Sequence, residues 1–230
     1  TFETSASFFG EVMLNTQLAA AAGVVGASIA AYLKSKHLDV GMAGNGAIAG
    51  LVAITAPSGY VEFWAAPIIG LIAGLIVVAG VYGFDRIRLD DPVGALSAHG
   101  LAGIWGTLAC GIFTSTRLAH LSGVGRPGLV YGGGLAQLGV QTLAVVAVFS
   151  FVLLASLAVF AAIRATVGLR VSADDEEAGL DLSEHGMYGY PEQFIPQSEL
   201  VGYRAVPAAG SQPAAVPQPA DGYRTSEVTA

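Results

Sequence analysis

The chain has 230 residues, of which 53% are hydrophobic and only 12% are charged, and its mean hydropathy is +0.63. Soluble domains carry about 25% charged residues, so this composition excludes an ordinary soluble domain and indicates an integral membrane protein. The net charge of −7 arises after Ser172, where ten acidic residues accompany two basic ones. This balance does not favour nucleic-acid binding, and the single cysteine, Cys110, excludes an internal disulfide framework.

Five apolar segments follow one another along the chain, and each is long enough to cross a bilayer as a helix. The second is rich in glycine, and the fifth is longer than one span needs, which predicts tilting or projection past the bilayer. The segments run approximately over 12–33, 41–60, 63–84, 92–113 and 130–163. They predict an all-α, polytopic membrane bundle over residues 12–169. Residues 1–11 lack the pattern of a signal peptide, and we expect them on the outside.

Basic residues near the segment ends predict the orientation. If the five helices alternate, six basic residues fall on one side, and only Arg117 and Arg126 fall on the other. Because Lys and Arg are in excess on the cytoplasmic side, we expect a multi-pass protein of the cell membrane with its N-terminus outside and its C-terminus in the cytoplasm. The odd number of spans predicts a chain that is part of something larger. The six residues are Lys34, Lys36, Arg86, Arg88, Arg164 and Arg170.

Small residues recur at four-residue spacing in the second and third segments. Such pairs permit close helix crossings, and generic packing explains them best. Between these segments, residues 57–59 predict a turn, Tyr60 and Trp64 suit the membrane interface, and Glu62 should face water. The small-residue pairs are Gly46 with Gly50 and Gly70 with Gly74.

The fourth segment begins with two carboxylates, Asp90 and Asp91, and contains His99 inside its apolar run. With Pro92 as the first helical position, the carboxylates fall at a helix N-terminus, where the dipole favours negative charge. A regular helix would place His99 about 12 Å beyond Asp91, near mid-membrane. An ionisable side chain at that depth is a candidate functional residue, and a histidine that only packs in the core is the alternative. Three glycines predict a close neighbouring helix and a His99 that faces the bundle interior: Gly100, Gly103 and Gly106.

The apolar character ends near Arg170, and a tail of two parts follows. Residues 170–190 combine acidic, aromatic and glycine residues, and we expect this part to dock on a surface. Over residues 191–230 proline, alanine, glycine, serine and glutamine dominate, and we expect disorder there. Both parts are predicted to be cytoplasmic.

The motifs do not favour an enzyme. Gly44-Asn45-Gly46-Ala47 is similar to the Gly-x-Ser-Gly-Ala pattern of rhomboid intramembrane proteases, but Asn45 stands where the serine nucleophile would be. An amide cannot usefully attack a peptide carbonyl, so the catalytic atom is missing. The sequence also lacks a Walker motif, a zinc-spaced Cys/His cluster and a Ser-His-Asp arrangement. We therefore expect neither enzymatic activity nor a cofactor or metal.

Seven motifs together resemble the C-terminal half of the ammonium transporters of the Amt/MEP/Rh family. They occur in the family's order between residues 14 and 190, and their joint specificity is high. The motifs are Leu14-Asn15-Thr16, residues 46–55, 90–100, 103–108, 137–141 and 167–172, and residues 176–186 with their His185-Gly186 pair.

The resemblance implies an eleven-helix chain, of which the five predicted helices would be the last, assembled as a homotrimer with one pore per subunit. It implies transport of ammonium or ammonia through a pore that holds two histidines, and His99 matches the histidine of the second half. A neutral imidazole could exchange a proton or hydrogen bond with ammonia. Asp90 and Asp91 match an acidic pair at the cytoplasmic end of that helix. This pair is either a mouth that attracts cations or a helix cap, and we favour the cap.

The tail match implies a segment that packs on the inner face and couples subunits, with Asp181, His185 and Gly186 in the pattern. Many family members continue with glutamate after His-Gly, whereas Met187 follows here, so a contact made by that carboxylate is in question. The resemblance further implies the PII signalling protein as a partner. Two alternatives remain open: a non-transporting truncated fragment or interaction module, and an ammonium sensor that signals through its tail.

Overall fold

The computed structural model describes residues 6–187 and Gly189, and in this part the chain is all-α, as predicted, without a strand. It divides into two units, residues 1–161 and 162–230. The predicted disordered tail, residues 191–230, lies outside the described residues. The helices are α1 (Ala6–Ser35), α2 (Val40–Thr55), α3 (Ala65–Arg86), α4 (Ala102–Phe113), α5 (Thr116–Ser122), α6 (Ala136–Thr166), α7 (Ala173–Ala178) and α8 (Leu180–His185).

All five predicted apolar segments contain a helix, but several boundaries differ from the prediction. Four described stretches are long and apolar enough to cross a membrane, and α2 is a shorter apolar helix of 16 residues. Helix α1 begins at Ala6, so the predicted boundary between residues 11 and 12 lies inside it. The fifth segment begins with a separate 3₁₀ turn, Leu129–Tyr131, before α6 starts. Helix α5 was not predicted. The four stretches are Phe8–Ser35, Ala65–Arg86, Pro92–Phe113 and Ala136–Thr166.

Helices α1, α2 and α3 pack against one another through glycines. A Cβ at Gly70 would overlap the backbone of Ala19, and a Cβ at Gly74 would overlap the carbonyl of Gly23. On α2, Gly50 meets the same Ala19 backbone, and Gly46 lies against Gly23. The close crossings that the small-residue pairs predicted are therefore confirmed, and α1 is the helix that both pairs contact.

The turn between α2 and α3 is held by a buried side chain of α1. Asn15 is fully buried, and its Nδ2 donates hydrogen bonds to the carbonyls of Ser58 and Val61, each over 2.9 Å. These bonds satisfy turn carbonyls that would otherwise lack a partner in an apolar surrounding. The predicted turn is confirmed, and the Leu14-Asn15-Thr16 motif has a structural role.

The bundle has two ends, which we name after one residue each. At the Asp91 end, Lys34 Nζ lies 5.5 Å from the ring centre of Tyr82, and Asn45 of α2 bonds to Val93. The loops after α1 and after α3 therefore share one end, as the basic-residue pattern predicted. At the Arg117 end, the start of α1, the α2–α3 turn and α5 come together.

Candidate functional site

The chain enters its fourth apolar segment through an irregular backbone, not through a regular helix. Residues Pro92–Gly94 form a 3₁₀ turn in which Val93 has φ 55° and ψ 10°, and Gly94 has φ 70°. A π-helix, Leu96–Leu101, follows and leads into α4. The prediction that Pro92 starts a continuous α-helix is wrong, so the spacing of about 12 Å, which assumed a regular helix, does not apply. Two consecutive left-handed residues break the helical path, and such a conformation in valine costs about 1–3 kcal/mol.

The Asp91 side chain caps the N-terminus of the π-helix, although Asp91 lies five positions before its first residue, Leu96. Its Oδ1 accepts a hydrogen bond from the Leu96 N–H over 2.6 Å, and its Oδ2 accepts bonds from the Ser97 N–H over 3.1 Å and the Ser97 hydroxyl over 2.7 Å. Partial desolvation would raise the pKa of the Asp91 carboxyl, but these three bonds outweigh it and hold the pKa below its usual range. Asp90 is exposed, and its side chain has no hydrogen bond within the described residues. The geometry thus separates the acidic pair into one bound and one exposed carboxylate.

His99 lies on the wall of a cavity of about 760 Å³, which extends between the π-helix, α4 and α6. Its imidazole is exposed to this cavity and has no hydrogen-bond partner among the described residues. The neighbouring Ser97 and Ala98 are the buried residues of this turn. Ser97 and Ala98 thus occupy the packed side of this turn while His99 faces the cavity, and a position of His99 in the interior of the bundle stays a prediction.

The remainder of the cavity wall is almost entirely apolar. Of the described lining residues, only His99 and Thr107 carry polar side-chain groups, and the Thr107 hydroxyl already donates to the Gly103 carbonyl over 2.9 Å. Among the described residues, His99 is consequently the only titratable group on this wall. No group of three or more His, Cys, Asp or Glu side chains that could hold a metal ion occurs in the part of the chain that the structure describes.

Helix α4 is fixed against α2 and α3 by close contacts. A Cβ at Gly106 would overlap the backbone of Ala53, and Trp105 Nε1 donates to the Ile69 carbonyl over 3.0 Å. At Gly100 a Cβ would meet only the side chain of Leu96, within the π-helix itself. The predicted close approach is confirmed at Gly106 and not at Gly100.

Helix α6 forms the opposite wall and has a different character. None of its described residues is buried, although it is a 31-residue helix rich in Leu, Val and Phe. An apolar surface of this length is compatible with lipid or with a further apolar partner.

An ion-pair cluster at the Arg117 end was not foreseen from the sequence. Arg117 binds Glu11 of α1 over 3.1 Å and Glu62 of the α2–α3 loop over 2.9 Å. The hydrogen bond from Arg117 holds the pKa of the Glu62 carboxyl below its ordinary value, although partial burial acts in the opposite direction. The same two carboxylates raise the pKa of Arg117. Glu62 faces an arginine as well as water, so the prediction for it was incomplete.

An aromatic group lies beside this cluster. Trp64 Nε1 donates to the Tyr131 hydroxyl over 3.2 Å, and the Trp64 ring meets the Phe113 ring edge-on at 5.9 Å. Trp64 remains 47% exposed, which fits a side chain at a membrane interface. The group connects the start of α3 with the end of α4 and with the 3₁₀ turn before α6.

After the last turn of α6, the described part of the C-terminal unit forms two short acidic helices, α7 and α8. The Ser172 hydroxyl accepts the Asp175 N–H over 3.1 Å and so caps α7. After α8, Asp181 Oδ2 accepts the Gly189 N–H over 2.6 Å, and Gly186 turns the chain with φ 65°. Asp181 therefore closes a turn, while His185 and Gly186 are exposed.

Comparison with known proteins places these features in a family. The profile of the Ammonium Transporter Family matches residues 2–190. Among curated proteins, the ammonium transporter Amt2 of Archaeoglobus fulgidus is 40% identical over 188 residues, which cover 81% of this chain and 40% of that protein. The ammonium transporter of Bacillus subtilis is 34% identical over 182 residues, which cover 79% and 44%. The chain thus spans less than half the length of these relatives.

Solved structures of Amt and Mep proteins are also similar to this chain. A Sensor Amt Protein is similar with a TM-score of 0.68 and 34% identity, covering 77% of this chain and 42% of that one. Mep2 of Candida albicans is similar with a TM-score of 0.65 and 26% identity, covering 72% and 37%.

Proposed function

The chain belongs to the ammonium transporter family, and on that premise we propose that it contributes the C-terminal half of a pore that moves ammonium or ammonia across the cell membrane, with His99 on the path of the substrate. The observation that carries the proposal is the position of His99, the only titratable group on the wall of an otherwise apolar cavity within the described residues. The imidazole is exposed to this cavity, so it is accessible to a molecule that enters it.

The chemistry of the wall favours a neutral substrate at this level. Transfer of an ammonium ion from water into an apolar surrounding without compensating groups costs tens of kcal/mol of free energy, whereas transfer of neutral ammonia costs far less. An imidazole can donate or accept one hydrogen bond in its neutral form and can take up a proton. His99 would thus bind ammonia, or relay the proton that ammonium leaves behind.

The two carboxylates near the Asp91 end receive different roles. Asp91 is engaged by the Leu96 and Ser97 N–H groups and acts as the cap. Asp90 is exposed, so it is the carboxylate that could attract cations to a pore mouth. This division refines the expectation that both residues share one role.

Orientation and assembly are part of the proposal. The shared position of the basic loops after α1 and α3 supports a cytoplasmic Asp91 end, an outward N-terminus and a cytoplasmic tail. The uncovered surface of α6 supports further helices beside it, either upstream helices of the same protein or neighbours in a homotrimer. The acidic tail with Asp181, His185 and Gly186 would be the segment that docks on the inner face and meets PII.

Ammonium sensing is the second candidate function. It is favoured by the similarity to a Sensor Amt Protein, a protein described as a sensor. In that case ligand binding near His99 would be read out through the tail, and net uptake would be small. A non-transporting interaction module would show neither binding nor uptake.

Uptake of labelled methylammonium separates these possibilities. The chain would be expressed alone and joined to any coding sequence upstream of Thr1, in cells that lack their own ammonium transporters, with His99→Ala and the control His120→Ala, an exposed residue of α5. We expect uptake by the joined form, loss with His99→Ala and no change with His120→Ala. Uptake that persists in His99→Ala would overturn the role of His99, and binding without uptake would favour the sensor.

A further inference from the structure

Asn45 makes a contact that neither its motif nor the transport chemistry explains. It lies in the second turn of α2, is half-buried, and its Nδ2 donates a hydrogen bond over 3.0 Å to the carbonyl of Val93. These two residues are 48 positions apart. The bond therefore joins α2 to the irregular turn through which the chain enters the π-helix.

The backbone that Asn45 holds is one that valine rarely adopts. Val93 is left-handed with φ 55°, and its side chain is 86% exposed, so packing of that side chain does not hold the conformation in place. Two hydrogen bonds hold the conformation instead. The Asn45 amide donates to the Val93 carbonyl, and the Gly94 N–H donates to the Asp91 carbonyl over 2.9 Å.

Gly94 completes the arrangement. It is also left-handed, with φ 70°, and a Cβ there would lie 2.8 Å from Asn45 Nδ2. The Asn45 amide therefore packs directly on the Gly94 backbone while it bonds to Val93. Only one residue, Ala95, separates this turn from the π-helix that carries His99.

We propose that Asn45 is a positioning residue: its amide holds Val93 and Gly94 in their left-handed turn, and this turn sets the start, and hence the rotation, of the π-helix that presents His99 to the cavity. A π-helix has a wider turn than an α-helix, so a change at its start rotates each later side chain. Strained backbone that is held by surrounding groups is typical of functional sites. The proposal rests on the proposed function, because what Asn45 positions is the pore histidine.

The test exploits the strain at Val93. Asn45→Ala removes the amide, so the left-handed turn should relax. Glycine adopts a left-handed conformation at no steric cost, so Val93→Gly in the Asn45→Ala background should restore the turn without the amide. Gly94→Ala disturbs the same turn by changing its backbone residue, and it is the alternative test variant if Asn45→Ala does not fold. The matched control is Gly44→Ala, next to Asn45, where a Cβ has nothing within 4 Å.

Two readouts are measured on the whole protein, including any upstream helices. The first is the imidazole ¹⁵N resonance of His99 in histidine-labelled protein, assigned with His99→Gln. The second is methylammonium uptake per folded molecule. We expect Asn45→Ala to shift the resonance and to lower uptake about tenfold, Val93→Gly to restore both to within about threefold of wild type, and Gly44→Ala to change neither.

The two readouts distinguish failure of the Asn45 proposal from failure of the proposed function. The resonance does not depend on transport, so an unchanged His99 resonance in both Asn45→Ala and Gly94→Ala would overturn the proposal even if uptake by the wild type is normal. A shift that Val93→Gly does not reverse would also overturn it, because the amide would then act on something other than the left-handed turn. Unchanged uptake in His99→Ala, by contrast, would overturn the proposed function alone.

Discussion

The two ends of the bundle use similar polar groups for different purposes. At the Arg117 end, an arginine and two glutamates connect a helix, a loop and a short helix, and in these described elements no residue other than glycine has a positive φ. At the Asp91 end, a carboxylate and an amide hold a backbone that would not adopt its conformation unaided, with Val93 left-handed and a π-helix behind it. Polar groups at the Arg117 end join elements of ordinary backbone, whereas at the Asp91 end they hold a strained backbone that places a side chain.

The largest effect on stability should come from Asp91. Asp91→Ala leaves the Leu96 and Ser97 N–H groups without their acceptor, and bonds to a charged group contribute about 1.5–3 kcal/mol. We expect the free energy of unfolding, measured on detergent-purified protein, to fall by about 2–3 kcal/mol. The control is Asp90→Ala, which should stay within about 0.5 kcal/mol of wild type. Equal losses in the two variants would remove the distinction between the carboxylates.

A smaller loss should follow at the Arg117 end. Arg117→Met keeps an apolar stem but breaks both ion pairs, and the arginine side chain is 51% exposed, so screening limits its contribution. We expect the free energy of unfolding to fall by about 1 kcal/mol at low salt and by less at high salt. Arg126→Met, which breaks no ion pair in the described part of the chain, is the control. A loss larger than that of Asp91→Ala would reverse the comparison.

Acid should lower the contribution of both ends to the free energy of unfolding. The pKa values of Glu62 and Asp91 are lowered in the folded chain from ordinary values of 4.5 and 3.8. A lowered pKa means stability that is fully present above the ordinary value and is lost as the pH falls through the folded value. Unfolding followed between pH 6 and pH 3.5 should therefore show decreasing stability. Glu62→Gln should reduce this pH dependence, and an unchanged slope would show that Glu62 does not contribute.

The smallest effect should come from the aromatic group beside Arg117. Trp64→Phe keeps an aromatic ring but removes the hydrogen bond to the Tyr131 hydroxyl. A single neutral bond contributes about 1 kcal/mol or less, and Trp64 is partly exposed, so we expect a thermal midpoint shifted by only a few degrees. A Trp64→Phe variant that failed to fold would show that the Arg117 end depends on this ring more than on its ion pairs.

The same two regions show what the sequence could predict. The apolar segments, the turn after α2 and the glycine crossings follow from local patterns, because hydrophobic length and small-residue spacing act over a few residues. The ion-pair cluster of Arg117 with Glu62 and Glu11 could not be predicted. Arg117 is 55 and 106 positions from these two partners, and no short sequence pattern links them.

The candidate site was predictable only in part. The sequence singles out Asp90, Asp91 and His99 as the unusual polar residues of an apolar segment, and their roles in transport stay predictions. Their geometry was not predictable, because Asp-Pro before an apolar run is also typical of an ordinary helix start. The departure comes from Asn45, which holds Val93 from another helix. Long-range contacts of this kind override local preference, so the left-handed turn and the π-helix had no signal in the sequence.

One measurement compares the two ends most directly: methylammonium uptake per folded molecule by the whole protein with Asp91→Asn and with Arg117→Met, side by side. Asparagine keeps the shape of the cap but loses its charge, so the π-helix should shift without unfolding. We expect uptake to fall about tenfold or more in Asp91→Asn and to stay within about twofold of wild type in Arg117→Met. Equal losses in both variants, or normal uptake in Asp91→Asn, would show that the Asp91 end does not place His99 for transport.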